Sequence, residues 1–223
     1  MSSTLIKNVP SKIAIPLTLI FNKSIPDGQF PTSLKIAKIC PVYKCDNKLL
    51  VNNYRPIPIL PTFLKIFERL KYNRLLEYIN KNNILFQNQY DFREKHSTFM
   101  TLLKLIDDIS NEVNNKIYSV GIFIYLSKAF DHSLLIKKLR NYGVKGIVAD
   151  WFVSYLSNRS QYRYVKIDDT SSALLNVSCG VPQGSILGLL LFIIYVNAIN
   201  NSSNIAILFF LLTPLIWFSS IMT

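Results

Sequence analysis

The sequence predicts an α+β protein, because strong helical patterns and strong strand patterns alternate along the chain. Thr62 to Asn80 carries apolar residues at helical spacing with Lys and Arg opposite, as in an amphipathic helix. Its apolar face is expected to carry Phe63, Ile66, Phe67 and Leu70. Tyr118 to Leu126 is a nearly continuous apolar run, long enough for a central strand. Gln161 to Ile167 alternates, and Ala173 to Ser178 is expected to complete a hairpin across Asp168 to Ser172.

Before the central strand, prolines, glycines and capping residues mark the expected boundaries. The expected elements are two short helices and a turn at Pro26-Asp27-Gly28 within residues 1 to 30, a strand from Ile36 to Tyr43, a polar loop from Lys44 to Asn53, an extended segment from Tyr54 to Pro58, and a helix from Ser97 to about Asn115. Pro41 is expected to break its strand, since proline has no N–H to donate. The extended segment is expected because residues before proline avoid the helical region.

After the central strand, helical and apolar patterns follow each other closely. The expected elements are helices at His132 to Asn141 and Ile147 to Ser157, the hairpin, an apolar helix from Ile186 to Val196, and apolar strands at Ile205 to Leu212 and Leu215 to Phe218. The stretch from Cys179 to Gly188 is expected to be a strand end, a tight turn and a helix start. Gly180 and Gly184 allow a close turn, and Ser185 can cap the helix. These residue types also suit an ordinary strand–turn–helix junction.

Composition favours a polyanionic partner. The chain has 223 residues, half of them hydrophobic, and a net charge of +12, which suits nucleic acid or an anionic membrane. All of the charge precedes Thr170, so the binding surface is expected in the first three-quarters. Cys40, Cys45 and Cys179 show neither metal-ligand spacing nor a paired framework, and no secretory leader is visible. An intracellular, reducing location is expected, with nucleus and cytoplasm both open.

The Pro-Gln-Gly stretch, Val181 to Gly184, resembles a signature of the reverse transcriptase domain of non-LTR (LINE-like) retrotransposons, and so do the flanking Leu187-Gly188 and Ile194 to Asn197. Five further blocks resemble the same domain in the same order. They are Phe30-Pro31 with Leu34-Lys35 and Ala37 to Lys44; Asn53-Tyr54-Arg55-Pro56-Ile57; Gln89 with Phe92-Arg93 and His96-Ser97-Thr98; Leu126 to Asp131; and the segment with Tyr142-Gly143, Trp151, Tyr155-Leu156 and Arg159. The resemblance implies an RNA-directed DNA polymerase with RNA template and RNA–DNA hybrid as partners. It also implies a right-hand fold, with fingers in residues 1–117, an antiparallel palm sheet in residues 118–223, and the thumb absent.

The resemblance identifies three positions where family aspartates are replaced. The family holds two Mg²⁺ ions with carboxylates, which suit this hard cation. Those aspartates align with Tyr125, Leu211 and Leu212 here. Leucine has no side-chain oxygen, and the phenol of tyrosine is neutral at pH 7. The chain is therefore expected to hold no catalytic metal and to be a degenerate, inactive copy.

Positions that resemble nucleotide contacts are better preserved. Lys44 and Arg55 would face the triphosphate, Phe130 would lie against the sugar, and Gln183 would support nucleotide and template. Without the resemblance, the two cations would be interpreted as solvated surface charge and Phe130 as a core residue.

A non-catalytic RNA-binding module is the alternative function. A membrane protein is less favoured, because Ile205 to Phe218 is too short to span a bilayer; a fragment without function is a further possibility.

Overall fold

The computed structural model describes residues 8–86, 96–116, 131–157, 164–167, 170–171, 180 and 184–198. The described helices are α1 (Pro10–Ser24), α2 (Thr62–Lys81), α3 (Thr98–Asn114), α4 (His132–Asn141), α5 (Gly146–Leu156) and α6 (Ile186–Asn197). The described strands are β1 (Lys38–Tyr43), β2 (Tyr54–Ile59), β3 (Tyr164–Ile167) and β4 (Thr170–Ser171). This mixture confirms the α+β class. The central strand predicted at Tyr118 to Leu126 and the predicted strands after Ile205 lie outside the described residues.

The chain divides into two compact units. The first contains Met1–Tyr78 and Phe130–Tyr195, and the second contains Ile79–Ala129 and Val196–Thr223. This division does not follow the predicted boundary near residue 117. The assignment of fingers to residues 1–117 and palm to residues 118–223 stays a prediction.

The described strands form one mixed sheet in the order β2-β1-β3-β4. Strand β1 pairs antiparallel with β2 and parallel with β3, and β3 pairs antiparallel with β4. The pairing of Ile167 with Thr170 leaves two residues between β3 and β4. The prediction of a five-residue connection was therefore wrong: the β-branched Thr170 already belongs to the second strand.

The positions of the prolines in β1 and β2 explain why Pro41 does not break its strand. Pro41 was predicted to break its strand, yet β1 runs through it and Pro41 lies opposite Pro56. The Lys44 N–H donates to the Asn53 carbonyl at 2.8 Å, which makes this a hydrogen-bonded pair. Hydrogen-bonded and non-hydrogen-bonded pairs alternate in an antiparallel ladder. Pro41, Pro56 and Pro58 therefore all occupy positions that donate nothing between β1 and β2.

The same geometry accounts for the limits of the sheet. At Pro41 the missing N–H would point toward β3, and the described pairing of β1 with β3 ends at Ile39. Strand β2 is an edge of the described sheet, and Pro56 and Pro58 leave that edge without two donors. Proline at such positions discourages further strand pairing.

The core of the first unit is aromatic. Phe30 lies at its centre, with ring centroids 5.8, 5.5 and 5.2 Å from those of Phe67, Trp151 and Tyr155. Trp151 is fully buried, and its Nε1 donates to Ser24 Oγ at 3.0 Å. These contacts join the end of α1, the first half of α2 and the second half of α5 into one packed cluster.

Most of the described helices match their predictions. Helix α4 has the predicted bounds, α5 differs by one residue at each end, and Ser97 Oγ accepts from the Met100 N–H at 3.3 Å as the predicted cap. One expectation was wrong: Leu70, expected on the buried face of α2, is 47% exposed. Helix α1 continues through Pro16, and the prediction of two short helices within residues 1 to 30 falls partly outside the described residues. No helix in the described part of the chain is long and apolar enough to cross a membrane.

In the second unit, Asn197 fixes the chain after α2. Its Nδ2 donates to the Ile84 carbonyl at 2.9 Å, and its Oδ1 accepts from the Phe86 N–H at 2.8 Å. Helix α3 belongs to the same unit and carries an ion pair between Lys104 and Asp108 at 2.5 Å.

Candidate nucleic-acid interface

Lys44 and Arg55 lie on one face of the β1–β2 hairpin. Arg55 pairs with Val42, and the Lys44–Asn53 pair follows two residues further along the ladder. Paired residues share a face, and so do residues two apart on a strand. The two predicted nucleotide contacts are therefore diagonal neighbours, with Cα atoms about 7–8 Å apart in ordinary sheet geometry.

The opposite face of the hairpin packs inward. Ile39 and Pro58 are buried there, whereas Lys38, Cys40 and Val42 on the cationic face are exposed. The alternation follows directly from the two-residue period of a strand. It leaves Lys44 and Arg55, both half-buried, on the solvent-facing side.

Side chains from the hairpin order the loop between Lys44 and Asn53. Tyr54 Oη donates to the Lys48 carbonyl at 2.9 Å, and Asn53 Nδ2 donates to the Asn47 carbonyl at 2.8 Å. Tyr43 Oη donates to the Asp46 carbonyl at 2.5 Å. The polar loop predicted from sequence is thus tied to both strands, which fixes the start of the cationic face.

Both cations act on one neighbouring thiol. The pKa of Cys45 is raised by its hydrogen bond to Asp46, then by the charge of Asp46 and by burial, while the charges of Lys44 and Arg55 oppose these effects. The hairpin register places both cations on the same face of the sheet. Such a site suits phosphate oxygens, which Lys binds as a point charge and Arg as a planar fork.

The start of α6 is held by a buried carboxylate. Glu68, on α2, is 0% exposed. Its Oε1 accepts from Tyr155 Oη at 2.6 Å and from Ser185 Oγ at 2.8 Å, and its Oε2 accepts from the Ile186 N–H at 2.8 Å. Ser185 Oγ also accepts from the Gly188 N–H at 2.9 Å, so the predicted cap is confirmed.

Gly180 and Gly184 both adopt positive φ, +85° and +81°. This is the conformation in which glycine has no steric penalty. The Gly180 carbonyl accepts from His132 Nε2 at 2.8 Å. His132 is the first residue of α4, whose N-cap Asp131 accepts from the Leu134 N–H at 2.9 Å. Hydrogen bonds to Ser133 and Leu134 lower the pKa of that exposed carboxyl.

Glu68 was not among the residues predicted from the sequence. The signal is its spacing. Leu64, Leu75 and Ile79 are buried on α2, and Glu68 lies four residues after the first of them. A charged residue on an apolar helical stripe indicates a buried, paired group.

The remaining predicted site residues are not placed by the structure. Tyr125, Phe130, Gln183, Leu211 and Leu212 lie outside the described residues. At the three positions where the resemblance implies aspartates, a phenol and two aliphatic side chains do not fit magnesium, which proteins hold mainly through carboxylate oxygens. Within the described residues there is no group of three or more metal-ligating side chains.

Known proteins show the same relationship over most of the chain. The family model for reverse transcriptase (RNA-dependent DNA polymerase) matches residues 42–211. The chain is 32% identical over 197 residues to the RNA-directed DNA polymerase from mobile element jockey of Drosophila melanogaster, covering 86% of this chain and 21% of that protein. It is 32% identical over 200 residues to the probable polymerase from transposon BS and 31% over 198 residues to that from transposon X-element, both of the same fly. Each of those two alignments covers 85% of this chain and 21% of the relative.

The matches span both the hairpin with Lys44 and Arg55 and the turn before α6. They cover about a fifth of each relative's length. The chain belongs to the reverse transcriptase (RNA-dependent DNA polymerase) family, in the form encoded by non-LTR retrotransposons.

Proposed function

We propose that this chain is a reverse transcriptase domain that binds nucleic acid without transferring nucleotides. RNA template and RNA–DNA hybrid are the proposed partners, inside the cell. One observation supports the proposed binding of nucleic acid: Lys44 and Arg55 lie on the same solvent-facing side of the hairpin, whose register is fixed. The net charge of +12 supports it, since phosphate contacts dominate affinity for nucleic acid.

The proposed absence of nucleotidyl transfer rests on the chemistry of three side chains. Nucleotidyl transfer needs a hydroxyl in line with the α-phosphate and metal ions that neutralise the charge that develops. Tyr125, Leu211 and Leu212 supply no anionic oxygen for such ions at neutral pH. The Lys44 and Arg55 site would still attract a triphosphate or a backbone phosphate. It would serve as a binding surface and not as a catalytic one.

Binding should weaken with salt in a way that identifies the hairpin. We expect the logarithm of RNA affinity to fall linearly with the logarithm of salt concentration. Each lost phosphate contact should reduce the slope by about 0.7 for single strands. Lys44→Gln with Arg55→Gln should therefore lower both the affinity and the slope, measured by filter binding across salt concentrations.

The matched control removes the same charge elsewhere. Lys12 and Lys23 are exposed on α1, so Lys12→Gln with Lys23→Gln gives the same net charge as the hairpin variant. We expect a smaller change in affinity and an unchanged slope. Equal effects of the two double variants would refute a localised site, and salt-independent retention of RNA would refute electrostatic binding altogether. Primer extension by the unaltered chain with Mg²⁺ or Mn²⁺ would refute the proposal that the chain does not transfer nucleotides.

A further inference from the structure

The loop between β1 and β2 carries three consecutive aliphatic residues that face solvent. Leu49 is 89% exposed, Leu50 is 55% exposed and Val51 is 84% exposed. Single exposed apolar side chains are ordinary on protein surfaces, whereas a contiguous run of them indicates an interaction surface. These three residues are called the apolar tip below.

Hydrogen bonds order the backbone of the apolar tip. The Leu49 N–H donates to Asn47 Oδ1 at 2.9 Å, and the Leu50 N–H donates to the Asn47 carbonyl at 3.2 Å. The Leu50 carbonyl in turn accepts from the Asn53 N–H at 3.1 Å. The tip is therefore held open to solvent before a partner arrives, which lowers the entropy that binding would cost.

Tyrosines and cations follow the apolar tip along the hairpin. The rings of Tyr43 and Tyr54, which pair across the two strands, have centroids 5.7 Å apart. Lys48 Nζ lies 5.5 Å from the centroid of the Tyr43 ring. Lys44 and Arg55 lie on the solvent-facing side of the same hairpin. From Tyr43 to Arg55 the sequence contains three cations and one carboxylate, so the end of the hairpin is aliphatic at its tip and aromatic and cationic at its base.

This order of chemical groups matches the surface of an anionic membrane. Aliphatic side chains gain by leaving water for the boundary of the acyl chains, and tyrosine rings favour the level of the headgroups. Lysine near an anionic bilayer is attracted to its surface charge. A single-stranded nucleic acid fits the tip less well, because bases stack on aromatic faces. The tip itself has no aromatic ring, and Lys48 covers the Tyr43 ring.

We propose that the apolar tip inserts into the surface of an anionic membrane, with Lys48 bound to the headgroups. The contact is peripheral, because it uses three side chains of one loop and no spanning helix. It is an interaction separate from the proposed binding of nucleic acid and does not depend on it.

Flotation of the full chain with lipid vesicles tests the proposal. We expect binding to vesicles of phosphatidylcholine mixed with phosphatidylserine, and weaker binding to phosphatidylcholine alone. Leu49→Ser with Val51→Ser should lower the affinity by about a hundredfold, because each inserted aliphatic side chain contributes about tenfold. Lys48→Gln should lower it by about fivefold for the anionic vesicles alone. Unchanged affinity of the double serine variant for anionic vesicles would overturn the proposal.

The matched control removes exposed aliphatic side chains from another cationic surface. Ile15 and Leu19 are 70% and 65% exposed on α1, which also carries Lys12 and Lys23. Ile15→Ser with Leu19→Ser should leave the affinity for anionic vesicles unchanged. Equal losses in the two double variants would show general adsorption of apolar surface and refute a specific role of the tip.

Quenching from within the bilayer separates insertion from attraction by charge. In Leu50→Trp, lipids brominated on their acyl chains should quench the fluorescence of the introduced indole beyond any quenching in the unaltered chain. Vesicle binding without this additional quenching would refute insertion. Leu49→Ser with Val51→Ser should also leave RNA affinity unchanged. If that variant lost RNA affinity and kept its affinity for vesicles, the tip would be a nucleic-acid contact and the membrane proposal would fail.

Discussion

Two charged residues on α2 occupy positions that an apolar stripe would normally fill. Glu68 is held by hydrogen bonds, whereas Lys71 is half-buried with its Nζ 4.5 Å from the centroid of the Trp151 ring. The indole face attracts a cation, but burial and then the nearby charge of Arg74 lower the pKa of Lys71 to about 8. Burial is the larger of the opposing effects, so the protein carries a proton on Lys71 at a cost.

That cost predicts how stability depends on pH. Below about pH 8 Lys71 is charged in both folded and unfolded chains, and the full penalty is present. Between about pH 8 and 10.5 the unfolded chain binds the extra proton, so the free energy of unfolding rises with pH. We expect Lys71→Met to lose this rise.

The measurement is denaturant unfolding of both proteins at several pH values. Groups other than Lys71 contribute equally to both, including Lys138, whose pKa is also lowered by burial. The informative quantity is therefore the difference between the two curves. If the difference in free energy of unfolding between the two proteins stayed constant from pH 7 to pH 10, Lys71 would not be the source of the rise.

At the scale of elements, local patterns predicted α4, α5 and the extended strand β2 because each carries its own boundary signals. The failures have one physical cause, which is tertiary context. Pro41 looks like a strand breaker alone, yet it is harmless opposite Pro56 because neither position needs to donate. No local pattern reveals register, since the partner strand decides which N–H groups are used.

The hairpin register therefore makes a sharp prediction about proline. Ile57 pairs with Cys40, four residues along the ladder from the Lys44–Asn53 pair, which the alternation makes a hydrogen-bonded position as well. Ile57→Pro should remove a ladder hydrogen bond and lower the free energy of unfolding by about 1–3 kcal/mol. Pro56→Ala, one residue away, should change it by less than about 1 kcal/mol. Thermal or denaturant unfolding gives both values, and equal losses would show that the register is wrong.

At the scale of the whole molecule, the family could be predicted from the order of motif blocks, because five blocks in sequence constrain each other. The resemblance implies that Lys44 and Arg55 both face a triphosphate, which stays a prediction, whereas their position on one face of the hairpin comes from its register. The hydrogen bonds between Ser185 and Glu68 and between His132 and Gly180 could not be predicted. They join residues far apart in sequence, which only packing brings together.

The proposed loss of catalysis can be tested by repair. If the palm geometry survives, Tyr125→Asp with Leu211→Asp and Leu212→Asp should restore three carboxylates where the family has them. We expect this triple variant to bind Mn²⁺ measurably by calorimetry, because carboxylate oxygen suits hard divalent ions. The matched control places Asn at the same three positions, with nearly the same shape and no charge, and should bind none. Primer extension should follow only in the Asp variant, since each roughly 1.4 kcal/mol of recovered transition-state stabilisation is worth tenfold in rate. Equal Mn²⁺ binding by the Asp and Asn variants, or none by either, would show that these positions do not converge on one site.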